Sequence, residues 1–73
     1  MTQSTYKSLI ASITNDDALN NKASEIDNLI RHESWGAAGG CVNQLFFMLD
    51  KLNLTLPEKV RIELKGIALY ANS

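Results

Sequence analysis

Cysteine and histidine are almost missing from this sequence: each occurs once, as Cys41 and His32. One cysteine excludes a disulfide within the chain and suits a reducing compartment. One cysteine with one histidine falls short of the four nitrogen or sulfur ligands that a structural zinc ion takes, so neither a metal nor a cofactor is expected. Proline also occurs once, as Pro57, and no linker, repeat or low-complexity tract interrupts the chain. A basic excess is lacking too. Seven lysines and arginines face eight aspartates and glutamates, for a formal net charge of −1, whereas a nucleic-acid binder carries a clear positive surplus. Nucleic acid is therefore disfavoured as a partner. The longest uncharged stretch, 34–49, contains Asn43, Gln44 and three glycines and falls short of the ~20 apolar residues that cross a bilayer. Met1 to Asp17 holds one lysine and no apolar core of a signal peptide, so a cytoplasmic location away from membranes is expected.

What is present is enough chain for one small domain, 1–73. A globule of this length buries about 60–65% of the surface its unfolded chain exposes, which makes a thin core. Chains this small usually gain stability from a disulfide, a metal or association. With the first two removed, self-association or a partner protein is the expected supplement.

Helical periodicity runs through the whole sequence. Tyr6, Leu9, Ile10 and Ile13 form one stripe of a short first helix. Thr14 or Asn15 can cap a second helix over about Asp16–Glu33, whose apolar stripe is Leu19, Ala23, Ile26, Leu29 and Ile30. Asp27 and Arg31 stand four apart in the favourable order for an ion pair, and the remaining carboxylates read as a wet face. Ser34-Trp35-Gly36 reads as the turn into a third helix over about Ala37–Leu52. There Cys41, Val42, Leu45, Phe46, Phe47, Met48, Leu49 and Leu52 cover more than one face. A helix apolar nearly all round is surrounded by protein. Thr55-Leu56-Pro57-Glu58 fits a capping box with proline in the first helical turn, and Thr55→Ala is then expected to cost roughly 1 kcal/mol. The fourth helix, running to about Ala71, has Val60, Leu64, Ile67, Ala68 and Ala71 on its main stripe, with Ile62 and Leu69 on another side. The expected fold is all-α, a compact bundle of about four short helices.

Catalytic chemistry has little to work with. Cys41 lies in an apolar run, which raises a thiol's pKa and makes it inert. His32 beside Glu33 lacks the second histidine of a zinc-protease motif. Lys59, Arg61 and Lys65 are interrupted by Glu58 and Glu63, as on an ordinary solvated face. A helix-turn-helix would make the most apolar segment its recognition helix, so that reading fails. No enzyme is expected.

The segment Trp35-Gly36-Ala37-Ala38-Gly39-Gly40 stands apart, because glycine within a helix costs about 1 kcal/mol relative to alanine. Three explanations fit it. Gly36, Ala37 and Gly40 could make a smooth G-x-x-x-G face for a second backbone, or the helix could start late, near Gly40. In the third, free N–H groups among Trp35, Gly36, Gly39 and Gly40 could hold an anion such as a phosphate. The pattern is no P-loop, since no lysine follows the glycines. Trp35 either closes the end of the core or anchors a partner.

The leading expectation is a non-catalytic interaction module, a self-associating adaptor or inhibitor that binds a partner protein. Its interface is expected to include Phe47, Met48, Ile62, Gly66 and Leu69. The alternative is a small anionic, nucleotide-like ligand held at the Gly-rich helix start between subunits. A membrane-active peptide is a third reading, suggested by the G-x-x-x-G and by Leu45-Phe46-Phe47-Met48-Leu49. The negative net charge and the polar second segment argue against it.

Overall fold

Partners for unpaired backbone groups mark the start of the second helix and the ends of the second and third. The computed structural model describes residues 6–72, and residues 1–5 and 73 of the domain expected over 1–73 lie outside the described residues. Helix α1 spans Tyr6–Ile13, α2 Asp17–Arg31, α3 Trp35–Lys51 and α4 Glu58–Ala68, followed by a 3-10 turn at Leu69–Asn72. Together they form a compact all-α bundle with a radius of gyration of 11.3 Å and no strand among the described residues.

The cap of α2 is Asp16, where Thr14 or Asn15 was expected. Its side chain accepts from the Leu19 N–H at 3.0 Å, while the Thr14 hydroxyl accepts from the Asp16 N–H at 3.1 Å. The next turn also falls elsewhere than Ser34-Trp35-Gly36. Glu33 takes a left-handed φ of 58° just after α2. The Glu33 N–H donates to the Ile30 carbonyl and the Ser34 N–H to the Leu29 carbonyl, the paired bonds of a Schellman ending. That closes α2 within three residues, so α3 starts at Trp35 and takes in all three glycines of its first half. The same ending recurs at the far end of α3. Asn53 has a φ of 57°, its N–H donates to Asp50, and the Leu54 N–H donates to Leu49.

The capping box at Thr55 does not form. Helix α4 begins at Glu58 with Pro57 as the flanking residue in extended backbone, and no side chain caps it. Leu56 is buried in the core and Thr55 is exposed. Proline pushes the residue before it toward extended backbone, which keeps Leu56 out of the helix and so denies Thr55 the N-cap position.

The core draws on every helix: Ile10 from α1, Leu19, Ala23 and Ile26 from α2, Val42, Leu45 and Leu49 from α3, and Leu64 from α4. Most of α3's apolar surface is thus covered within one chain, since Phe46 and Met48 also pack against this core. Phe47 and Leu52 remain exposed. Helix α3 is central, touching α2 on one side and α4 with its 3-10 turn on the other.

The close approach in the glycine segment is at Gly39, not on the Gly36–Ala37–Gly40 face. A Cβ on Gly39 would lie 2.7 Å from the Ala71 nitrogen and 2.8 Å from the Ile67 carbonyl oxygen. At Gly36 the nearest atom would be 3.9 Å away, and at Gly40 none lies within 4 Å. Gly39 faces α4 because it shares a helix side with Val42, Phe46 and Leu49, whereas Gly40 is turned a further ~100° around the axis.

Opposite stability changes are therefore expected from two alanine substitutions in adjacent positions. Gly39→Ala must displace backbone and should destabilise by about 1–3 kcal/mol. Gly40→Ala meets open space and should stabilise by about 0.5–1 kcal/mol. Denaturant midpoints of the two variants check this. In the same assay Thr55→Ala should shift stability by less than about 0.5 kcal/mol, as for a surface change.

Candidate functional site

Helix α4 leans on α3 alone: no Cα of α4 comes within 8 Å of one in α1 or α2. Between α4 and those two helices a cleft of about 610 Å³ is left open. Its walls follow from helical spacing. Tyr6 and Leu9 come from one side of α1, and Asp27 and Ile30 from one side of α2. Val60, Glu63 and Ile67 line it from α4, and Trp35 stands at the start of α3. Among the described residues the lining is thus largely apolar and aromatic, with two carboxylates and no basic side chain.

Polar contacts hold this cleft in shape. The Tyr6 hydroxyl donates to Glu63 Oε1 at 3.2 Å, bridging from α1 to α4. Asp27 makes no ion pair with Arg31. Its Oδ1 accepts from the Tyr6 N–H at 2.9 Å and its Oδ2 from the Lys7 N–H at 2.8 Å. The carboxylate of α2 therefore serves the N-terminal end of α1, where free N–H groups and the helix dipole favour negative charge. Sequence pairing rules point Asp27 at Arg31, and only the packing of α1 on α2 reveals its other partner. Burial, the hydrogen bond to Glu63 and the charges of Glu63 and Asp27 together push the Tyr6 phenol up to about 12.

At Trp35 the indole stacks on Tyr70, with ring centroids 5.4 Å apart. The four residues expected to hold an anion are not gathered into one cradle. Trp35 and Gly36 stand at the helix start, Gly39 is sealed under the end of α4, and Gly40 points elsewhere.

Cys41 and His32 lie apart. Cys41 is half-buried and near Glu25 and Lys22, and burial followed by the Glu25 charge pushes its thiol up. His32 is exposed at the end of α2, with Nδ1 2.9 Å from the Asn28 carbonyl oxygen. Among the described residues no group of three histidines, cysteines or acids could hold a metal ion, and no helix is long and apolar enough to cross a membrane.

The expected interface residues divide. Ile62 and Leu69 are 61% and 70% exposed, and Gly66 lies between them with open space around it. Spaced four and seven apart, they form one stripe on the side of α4 facing away from the core. Phe47 is 64% exposed on α3, with the Lys51 ammonium 5.2 Å from its ring centre. Met48 does not join them, because its side chain packs on the core.

No protein-family model matches the chain, and comparison with curated proteins and with solved structures finds no match either.

The Tyr6 environment predicts a specific titration. A folded-state value raised from 10 to about 12 means the fold favours the neutral phenol. The stability this contributes is present below about pH 10 and is lost as pH rises toward 12. In a Tyr70→Phe background Tyr6 is the only tyrosine, and its ultraviolet titration should have its midpoint near 12. Adding Glu63→Gln should move that midpoint down, because the carboxylate charge is removed.

Proposed function

We propose that this chain is a non-catalytic interaction module that pairs with a second copy of itself through the outer side of α4, and that it acts as an adaptor or inhibitor by binding. The observation that carries this reading is the exposure of Ile62 and Leu69 on one stripe of a small bundle. Leaving a large aliphatic side chain in water forgoes about 1.5–3 kcal/mol that burial would supply. Gly66 between them lets another backbone come close.

The charges around the stripe favour a second copy as the occupant. Glu58 and Lys65 are exposed, stand two turns apart and flank the stripe on the same side. In an antiparallel pairing centred near Ile62, each Glu58 comes level with Lys65 of the other copy, and the two-fold symmetry forms the contact twice. Ile62 then meets Ile62 at the centre. A parallel pairing would set like charges level and lacks this complementarity. Such an interface is small and points to a reversible dimer. The anionic-ligand reading has less support, because Gly39 is covered and the open cleft beside Trp35 is lined with carboxylates.

Light scattering over a micromolar concentration series should show a mass rising toward twice the 8.1 kDa of one chain. Ile62→Lys, at the centre, should abolish the rise and Leu69→Lys, at the edge of the contact, should weaken it, each leaving the helical circular dichroism spectrum intact. Glu58→Lys should weaken pairing, and adding Lys65→Glu should restore it. A monomer at every concentration overturns the self-pairing.

A further inference from the structure

Beyond pairing through α4's outer side, we propose that the cleft on its inner side is a binding site for a small organic cation with an apolar body, such as an arylalkyl amine. The volume of about 610 Å³ falls within the range of small-molecule sites. Leu9, Ile30, Val60 and Ile67 supply apolar walls for the body of such a ligand. The charge comes from Asp27 and Glu63, which line the same space with no basic residue among the described lining residues. Neither carboxylate is in an ion pair, and the one such pair among the described residues is Lys22–Glu25, elsewhere on α2.

The two carboxylates differ in their availability. Both oxygens of Asp27 hold N–H groups of α1, so Asp27 contributes its field more than a direct contact. Glu63 is exposed and accepts a hydrogen bond from Tyr6 at Oε1. An ammonium group meeting Glu63 would form a charge-assisted hydrogen bond. Trp35, which lines the cleft and stacks on Tyr70, adds an aromatic ring of the kind that attracts cations. An anion of the same shape would meet two negative charges. The selection is thus for positive charge on an apolar frame.

The test uses a matched series on the full chain: 4-phenylbutylamine, 4-phenylbutanol and 4-phenylbutyrate. Trp35 is the only tryptophan, so its fluorescence and its indole N–H resonance report directly on the cleft. The amine should bind saturably, at least about tenfold more tightly than the carboxylate, as a charged hydrogen bond predicts. Glu63→Gln keeps an acceptor for Tyr6 and should weaken the amine about five- to tenfold while leaving the alcohol unchanged. Resonance shifts should map to Tyr6, Ile30, Trp35 and Val60, and not to Ile62 or Leu69, which separates this site from the pairing surface. Equal binding of all three compounds, amine binding indifferent to Glu63→Gln, or no saturable shift at Trp35 would each overturn the proposal.

Discussion

The contact of Gly39 with the end of α4 sets the shape of this molecule. Backbone atoms of Ile67 and Ala71 come so near Gly39 that no side chain fits between them. This seats α4 firmly along α3 and brings its 3-10 turn against the first turn of α3, where Tyr70 stacks on Trp35. With α4 seated on α3 and its backbone clear of α1 and α2, the cleft between them stays open. Across it the two sides meet through side chains, as in the hydrogen bond from Tyr6 to Glu63.

A second set of constraints comes from unpaired backbone groups at the helix ends. A short helix spends a large share of its residues at its termini, so each terminal partner matters in proportion. Asp16 serves α2, and Asp27 reaches across to serve α1. Glu33 and Asn53 adopt left-handed backbone so that the last carbonyls of α2 and α3 are satisfied. For a non-glycine residue such backbone costs roughly 1 kcal/mol or more, which the paired hydrogen bonds and the short reversal of direction offset. These turns leave little freedom in how α2, α3 and α4 follow one another.

Helix α4 has distinct roles for its opposite sides. Leu64 closes the core while Val60, Glu63 and Ile67 form one wall of the cleft. On the far side Ile62, Gly66 and Leu69 face outward. The proposed pairing would use only the outer side, which leaves the cleft of each copy open. Any effect of one surface on the other would pass through α4 itself, which is tied to the rest by the Gly39 seat, by Leu64 in the core and by the Tyr6–Glu63 bond.

How much of this was legible beforehand differs by feature, for physical reasons. The four helices and most of the core follow from sequence because burial repeats with the helical period: Leu19, Ala23 and Ile26 or Val42, Leu45 and Leu49 can share an interior face only in a helix. The poverty in cysteine and histidine likewise follows from composition alone. Helix ends were less legible, since several capping residues compete locally and tertiary anchoring chooses among them. The burial of Leu56 decided against Thr55, and the bonds at Glu33 and Ser34 decided where α3 begins. The exposed pair Ile62 and Leu69 was visible as a second stripe, whereas the half-buried packing of Met48 on the core was not, because periodicity does not reveal how many neighbours a central helix has. The cleft could not be read at all. Its residues come from four helices, and what brings them to one space is the angle of α4, which depends on the rotation that turns Gly39 rather than Gly40 toward its neighbour. Sequence determines the period of a helix, whereas only packing determines its rotation and tilt.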